Sequence, residues 1–66
     1  MTDPYEIERR LGILRIEHRD LDAAIEALEA MPMPDQLQIA RLKKRKLRLR
    51  DEIVQLEDQL IPDIIA

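Results

Sequence analysis

The chain has no cysteine, tryptophan or phenylalanine, and only one residue each of tyrosine, histidine and glycine. Each scarcity removes a class of function. Without cysteine, neither a disulfide framework nor a thiolate metal site can staple the fold. With Tyr5 the sole aromatic, stacking platforms for bases or sugars are nearly excluded. No apolar run approaches the ~20 residues that a membrane-spanning helix needs. The start, Met1-Thr2-Asp3-Pro4-Tyr5-Glu6, is polar and acidic, unlike the basic start and apolar run of a signal peptide, so a cytoplasmic protein is expected. Sixty-six residues make one small domain at most, too short to enclose a roomy substrate pocket.

What the chain does have is rhythm. Ile7, Leu11, Leu14, His18, Leu21, Ile25 and Leu28 step by alternating fours and threes. After Met31-Pro32-Met33-Pro34-Asp35, the series Ile39, Leu42, Lys46, Leu49, Ile53, Leu56 and Leu60 does the same. Such spacing puts each series on one face of an α-helix, the seam along which helices pair. The expected fold is therefore all-α: a coiled-coil-like antiparallel two-helix hairpin in one domain, residues 1–66.

The punctuation agrees with this reading. Asp3 suits an N-cap, Pro4 the first helical position, and Glu6 the carboxylate of a capping box. Helix 1 is expected over about 4–30, stopped by Pro32 and Pro34, which disfavour helical geometry in the residue before each. After a turn at 31–35, Asp35 with Gln38 forms a second capping box, and helix 2 is expected over about 36–61, ended by Pro62. The tail 62–66 is apolar enough to fold back on something.

In such a hairpin, residues whose numbers add to about 67 lie at one level. Leu28 then meets Ile39, and Leu14 meets Ile53. The polar intrusions, Lys46 opposite Leu21 and His18 opposite Leu49, sit one layer apart. A further stripe on helix 2 (Ala40, Leu47, Val54, Ile61) lies about 100° around from the seam, and helix 1 has its own outliers in Ile13, Ile16 and Ala23. A lone hairpin leaves these in water, and apolar residues arranged as a stripe mark a contact surface. Leu47, Val54, Ile61, Ile13 and Ile16 are therefore the candidate oligomer interface, with a dimer or larger helical bundle expected.

Charge is arranged in blocks within a net of −3. Between Arg41 and Arg50 seven of ten residues are basic, whereas from Asp51 onward there are five acids and no base. Lys43, Lys44, Arg45, Arg48 and Arg50 form a candidate basic face for phosphates. The level rule instead offers acid partners: Glu26 for Arg41, Asp22 for Arg45, Asp20 for Lys46 and Glu17 for Arg50. Pairing within the assembly is the expectation, since the whole chain is acidic, unlike a typical nucleic-acid binder.

His18 is the residue that titrates near neutrality, with Asp22 one helical turn away. A metal site needs three or four suitable ligands, and no second histidine or cysteine exists. The expected role is a seam histidine packed on Leu49; a pH-sensitive group is the alternative. Lys46 in the seam reads as a snorkelling lysine whose stem covers Leu21, and a polar residue there can also restrict register. Gly12 costs about 1 kcal/mol inside a helix; either a neighbouring backbone approaches it or it is simply tolerated. Asp51, Glu52, Glu57 and Asp58 resemble a solvated face, since a general acid/base pair needs an apolar concave setting.

The run His18-Arg19-Asp20-Leu21-Asp22 with Ile25 and Leu28, followed by the Leu42-Lys43-Lys44-Arg45-Lys46-Leu47 core leading into Asp51-Glu52-Ile53, resembles the YdcH-like family of small bacterial proteins over roughly residues 14 to 60. Arg48 and Arg50 stand where lysine is also typical, which changes no charge. The resemblance implies a helical hairpin and brings no catalytic residues. The function expected is a non-enzymatic structural or protein-interaction module that binds itself and another protein, with no cofactor, metal, membrane or small-molecule substrate. The alternative is a nucleic-acid accessory protein using the basic run 41–50.

Overall fold

The computed structural model describes residues 3–60. They form two α-helices, α1 (Pro4–Glu29) and α2 (Gln36–Leu60), packed against each other. Asp3 enters α1 in extended backbone (φ −69°, ψ 129°), and its Oδ1 accepts the Tyr5 N–H at 3.0 Å. The Asp35 Oδ1 caps α2 by accepting the Gln38 N–H at 3.1 Å. Each cap satisfies a backbone donor that has no partner within its own helix. The return bonds expected from the Glu6 and Gln38 side chains are absent among the described residues.

α1 stops at Glu29, one residue short of the expected end. The Ala30 N–H still bonds Glu26 O at 3.1 Å, and the Met31 N–H reaches Leu28 O at 3.3 Å, tightening the last turn. No described residue takes a positive φ. The turn therefore needs no left-handed cap, and Pro32 and Pro34 end the helix by sterics. Residue 61, the expected end of helix 2, and the tail 62–66 lie outside the described residues.

All fourteen positions of the two rhythms are buried or half-buried, joined only by Ala24, Pro34 and Glu57 among the described residues. Ile7, Leu11, Leu14, Ile25, Ile39 and Leu49 form the core proper. The polar members keep to the seam: His18 and Lys46 are half-buried, as is Leu21, while Leu49 is buried. With extents of 50 × 23 × 16 Å, the molecule is a single layer of two helices. Among the described residues, such a layer has a seam but no interior in which to enclose a ligand.

Gly12 faces solvent in mid-helix, and a Cβ built there meets nothing within 4 Å. Of the two readings open for it, close backbone approach is eliminated within the hairpin. The glycine is tolerated.

Candidate interaction surfaces

Because the seam takes two positions in every seven, the residues immediately before and after each seam position flank it on opposite sides. The side formed by residues just after seam positions carries three cross-helix ion pairs. Arg15 Nη2 lies 2.6 Å from Glu57 Oε2, Lys43 Nζ lies 3.2 Å from Glu29 Oε2, and Lys46 Nζ donates to Asp22 Oδ1. On the other side, Arg10 Nη2 stands 3.9 Å from Glu52 Oε2. These pairs are largely exposed, so each adds little stability, under about 1 kcal/mol for such surface pairs in general.

The four pairs expected from level alone do not form. Asp22 meets Lys46 rather than Arg45, and no ion pair among the described residues involves Glu26, Asp20, Glu17, Arg41 or Arg50. The cause is side, not level. Asp22 and Glu26 follow their seam residues and share a groove with His18, Lys43, Lys46 and Leu47. Arg41 and Arg45 precede theirs and sit on the other side of the hairpin, where Arg45 shares a groove with Glu17 and Asp20. Sequence reasoning missed Arg10, Arg15, Glu52 and Glu57 as pairing residues, although their shared flank was there to find.

Lys46 draws the Asp22 carboxyl below its usual range, chiefly through its hydrogen bond and then its charge, with a further contribution from His18 one turn back. Partial desolvation opposes the shift without cancelling it. His18 itself is half-buried beside this bridge. Among the described residues no three metal-ligating side chains converge.

The basic run 41–50 divides, and the expected face with it: Lys43 and Arg50 lie on one side, Lys44, Arg45 and Arg48 on the other. Lys43, Lys46 and Arg50 line the groove that also holds Asp22, Glu26 and Glu29. Arg41, Lys44, Arg45 and Arg48 line a second groove with Leu49 and Glu52, and none of these four joins an ion pair among the described residues. Their spacing at i, i+3, i+4 and i+7 makes them one continuous stripe along α2.

The expected oligomer interface divides as well. Leu47 and Val54 remain 56% and 46% exposed, one heptad apart on α2, with Leu47 at the edge of the groove holding the Lys46–Asp22 bridge. Ile13 belongs to the other side of the hairpin, in a groove with Arg9, Arg10 and Glu17. Ile16, 63% exposed, sits on the back of α1, about half a turn from the seam. Ile61 lies outside the described residues. A single flat contact cannot cover all of these positions.

A model of a family described as a protein of unknown function, DUF465, matches residues 13–57. The chain belongs to that family. The DUF465 match takes in most of both helices, the Lys46–Asp22 bridge, both halves of the basic run, and Leu47 with Val54. Comparison with curated proteins and with solved structures gives no match. No helix of the described residues is long and apolar enough to cross a membrane.

Proposed function

We propose that this DUF465 chain is a non-enzymatic, cytoplasmic helical module that self-associates and presents a charged helix face to a protein partner. The runs from His18 to Asp22 and from Leu42 to Ile53 support, within the family, a resemblance to the YdcH-like proteins. The observation that carries the proposal is the exposure of Leu47 and Val54 beside a seam whose positions are already filled. An exposed apolar stripe is a contact surface awaiting a partner, and a two-helix layer of this size is short of core on its own. The surface grooves support the same reading: they are open and lined by long charged side chains, unlike a catalytic pocket.

Static light scattering at tens of micromolar tests it. The native chain is expected to be a dimer or larger, and Val54→Asp a smaller species, because an unpaired buried charge costs several kcal/mol. A native chain that is monomeric and fully helical under those conditions overturns the proposal.

One observation favours a second reading, nucleic-acid binding: the stripe Arg41, Lys44, Arg45 and Arg48 lacks carboxylate partners among the described residues. Four cations on successive turns can neutralise phosphates without reading sequence. The net charge of −3 weighs against it, since long-range attraction to a polyanion is then weak.

A further inference from the structure

We infer that the partner covering Leu47 and Val54 is α2 of a second copy, running antiparallel about a twofold axis between Arg50 and Asp51. The inference rests on the self-association proposed above and specifies its geometry. Its basis is a symmetry in the charge pattern of α2. Leu47 and Val54 stand equally far from the point between Arg50 and Asp51. An antiparallel pair centred there places Leu47 of each copy level with Val54 of the other, so each exposed apolar side chain gains an apolar neighbour.

The rows flanking the stripe are Lys43, Arg50 and Glu57 on one side, and Lys44, Asp51 and Asp58 on the other. A twofold perpendicular to the helices keeps each row on its own side, so a row meets itself reversed. Lys43 then comes within one residue's rise, about 1.5 Å along the axis, of the partner's Glu57 level. Lys44 approaches the partner's Asp58 level in the same way. At the dyad, two Arg50 and two Asp51 share one level with no net charge. A parallel twofold would instead set each row against the other at equal level, placing Lys43 beside Lys44 and Glu57 beside Asp58 of the partner copy, and like-charge juxtaposition at both ends disfavours it.

Asp58 gives a second reason. It occupies the last turn of α2, where the helix dipole disfavours an acid, and no cation of the described chain pairs with it. Lys44, in the first half of α2, likewise has no acid partner among the described residues. The antiparallel copy supplies each with the other.

The test uses the full chain and two variants, Lys44→Glu and Asp58→Lys, with dimer dissociation measured by sedimentation equilibrium. Each variant alone places like charges at two symmetry-related contacts and is expected to dimerise about tenfold more weakly than the native chain, a change of about 1.4 kcal/mol. Mixed in equal amounts, the two variants restore both opposite-charge contacts and are expected to recover near-native association as a heterodimer. Recovery on mixing is specific to the antiparallel register, because no parallel pairing brings position 44 to position 58. Native dimers that neither variant weakens, or weakened variants that mixing does not rescue, overturn this interface while leaving self-association standing. A monomeric native chain removes both.

Discussion

Lys46 occupies a seam position of α2 yet directs its ammonium out to Asp22 on α1, so one residue both fills a layer and bridges the two helices. Its stem lies along the seam while the charged head stays at the rim, as long cationic side chains do when placed at apolar positions. The bridge holds the Asp22 carboxyl below its usual range. An acid whose pKa falls on folding contributes stability above its unfolded pKa, and that contribution is lost as pH drops through the folded value. Lys46→Met keeps the stem and removes the charge. NMR titration is expected to show the Asp22 pKa rising in Lys46→Met, and the variant's melting temperature is expected to fall less steeply than that of the native chain as pH is taken below the carboxylate range. An unchanged Asp22 titration would show that the bridge is not populated in solution.

Gly12 offers the opposite kind of test, one in which substitution improves the protein. Its position is helical and exposed, and the space a Cβ would occupy is open. Gly12→Ala removes backbone freedom from the unfolded chain and is expected to stabilise by about 0.5–1 kcal/mol. At fixed protein concentration this is a rise of roughly 4 °C in the thermal midpoint followed by circular dichroism. A fall would mean that something approaches this face in the assembled protein.

Core and surface isoleucines on α1 should separate cleanly. Ile25 is 5% exposed and Ile16 63% exposed. Ile25→Val is expected to cost about 1 kcal/mol in urea unfolding, whereas Ile16→Val should change stability by less than about 0.5 kcal/mol. Comparable losses at both positions would place Ile16 inside an interface on the back of α1.

The seam was legible in the sequence because a single period fixes it. Fourteen residues repeat at helical spacing, and even the polar members His18 and Lys46 follow the rhythm into half-buried positions. The caps were half legible: Asp3 and Asp35 bind the backbone as composition suggests, but the weaker return bonds of Glu6 and Gln38 do not form among the described residues. The ion pairs depart from those expected by level alone for a definable reason. Level along a hairpin depends on residue number alone, whereas side depends on whether a charge precedes or follows its seam neighbour. Arg15 follows Leu14 and Glu57 follows Leu56, and these two meet at 2.6 Å. Asp22 follows Leu21, whereas Arg45 precedes Lys46, and that expected pair is not made. Long side chains reach a turn up or down the helix more readily than they reach around it.

The same sidedness governs the basic stripe. Had Arg45 been held by Asp22, reversing its charge would break a bridge between the helices. It stands instead in an open groove beside Glu17, Asp20 and Leu21, outside any ion pair among the described residues. Arg45→Glu is therefore expected to leave the hairpin folded, with a loss of stability below about 1 kcal/mol. The same variant separates the two functional readings. If the groove serves a protein partner or is only solvated, the native chain should show no micromolar affinity for duplex DNA or RNA at 150 mM salt, and Arg45→Glu has nothing to lose in that assay. If the stripe binds phosphates, native binding should appear at low salt and fall steeply as salt rises, with a slope of roughly −0.9 per neutralised phosphate. Arg45→Glu should then reduce both affinity and slope while the melting curve stays almost unmoved. Micromolar binding at 150 mM salt that Arg45→Glu abolishes would move the nucleic-acid reading ahead of the protein-interaction module.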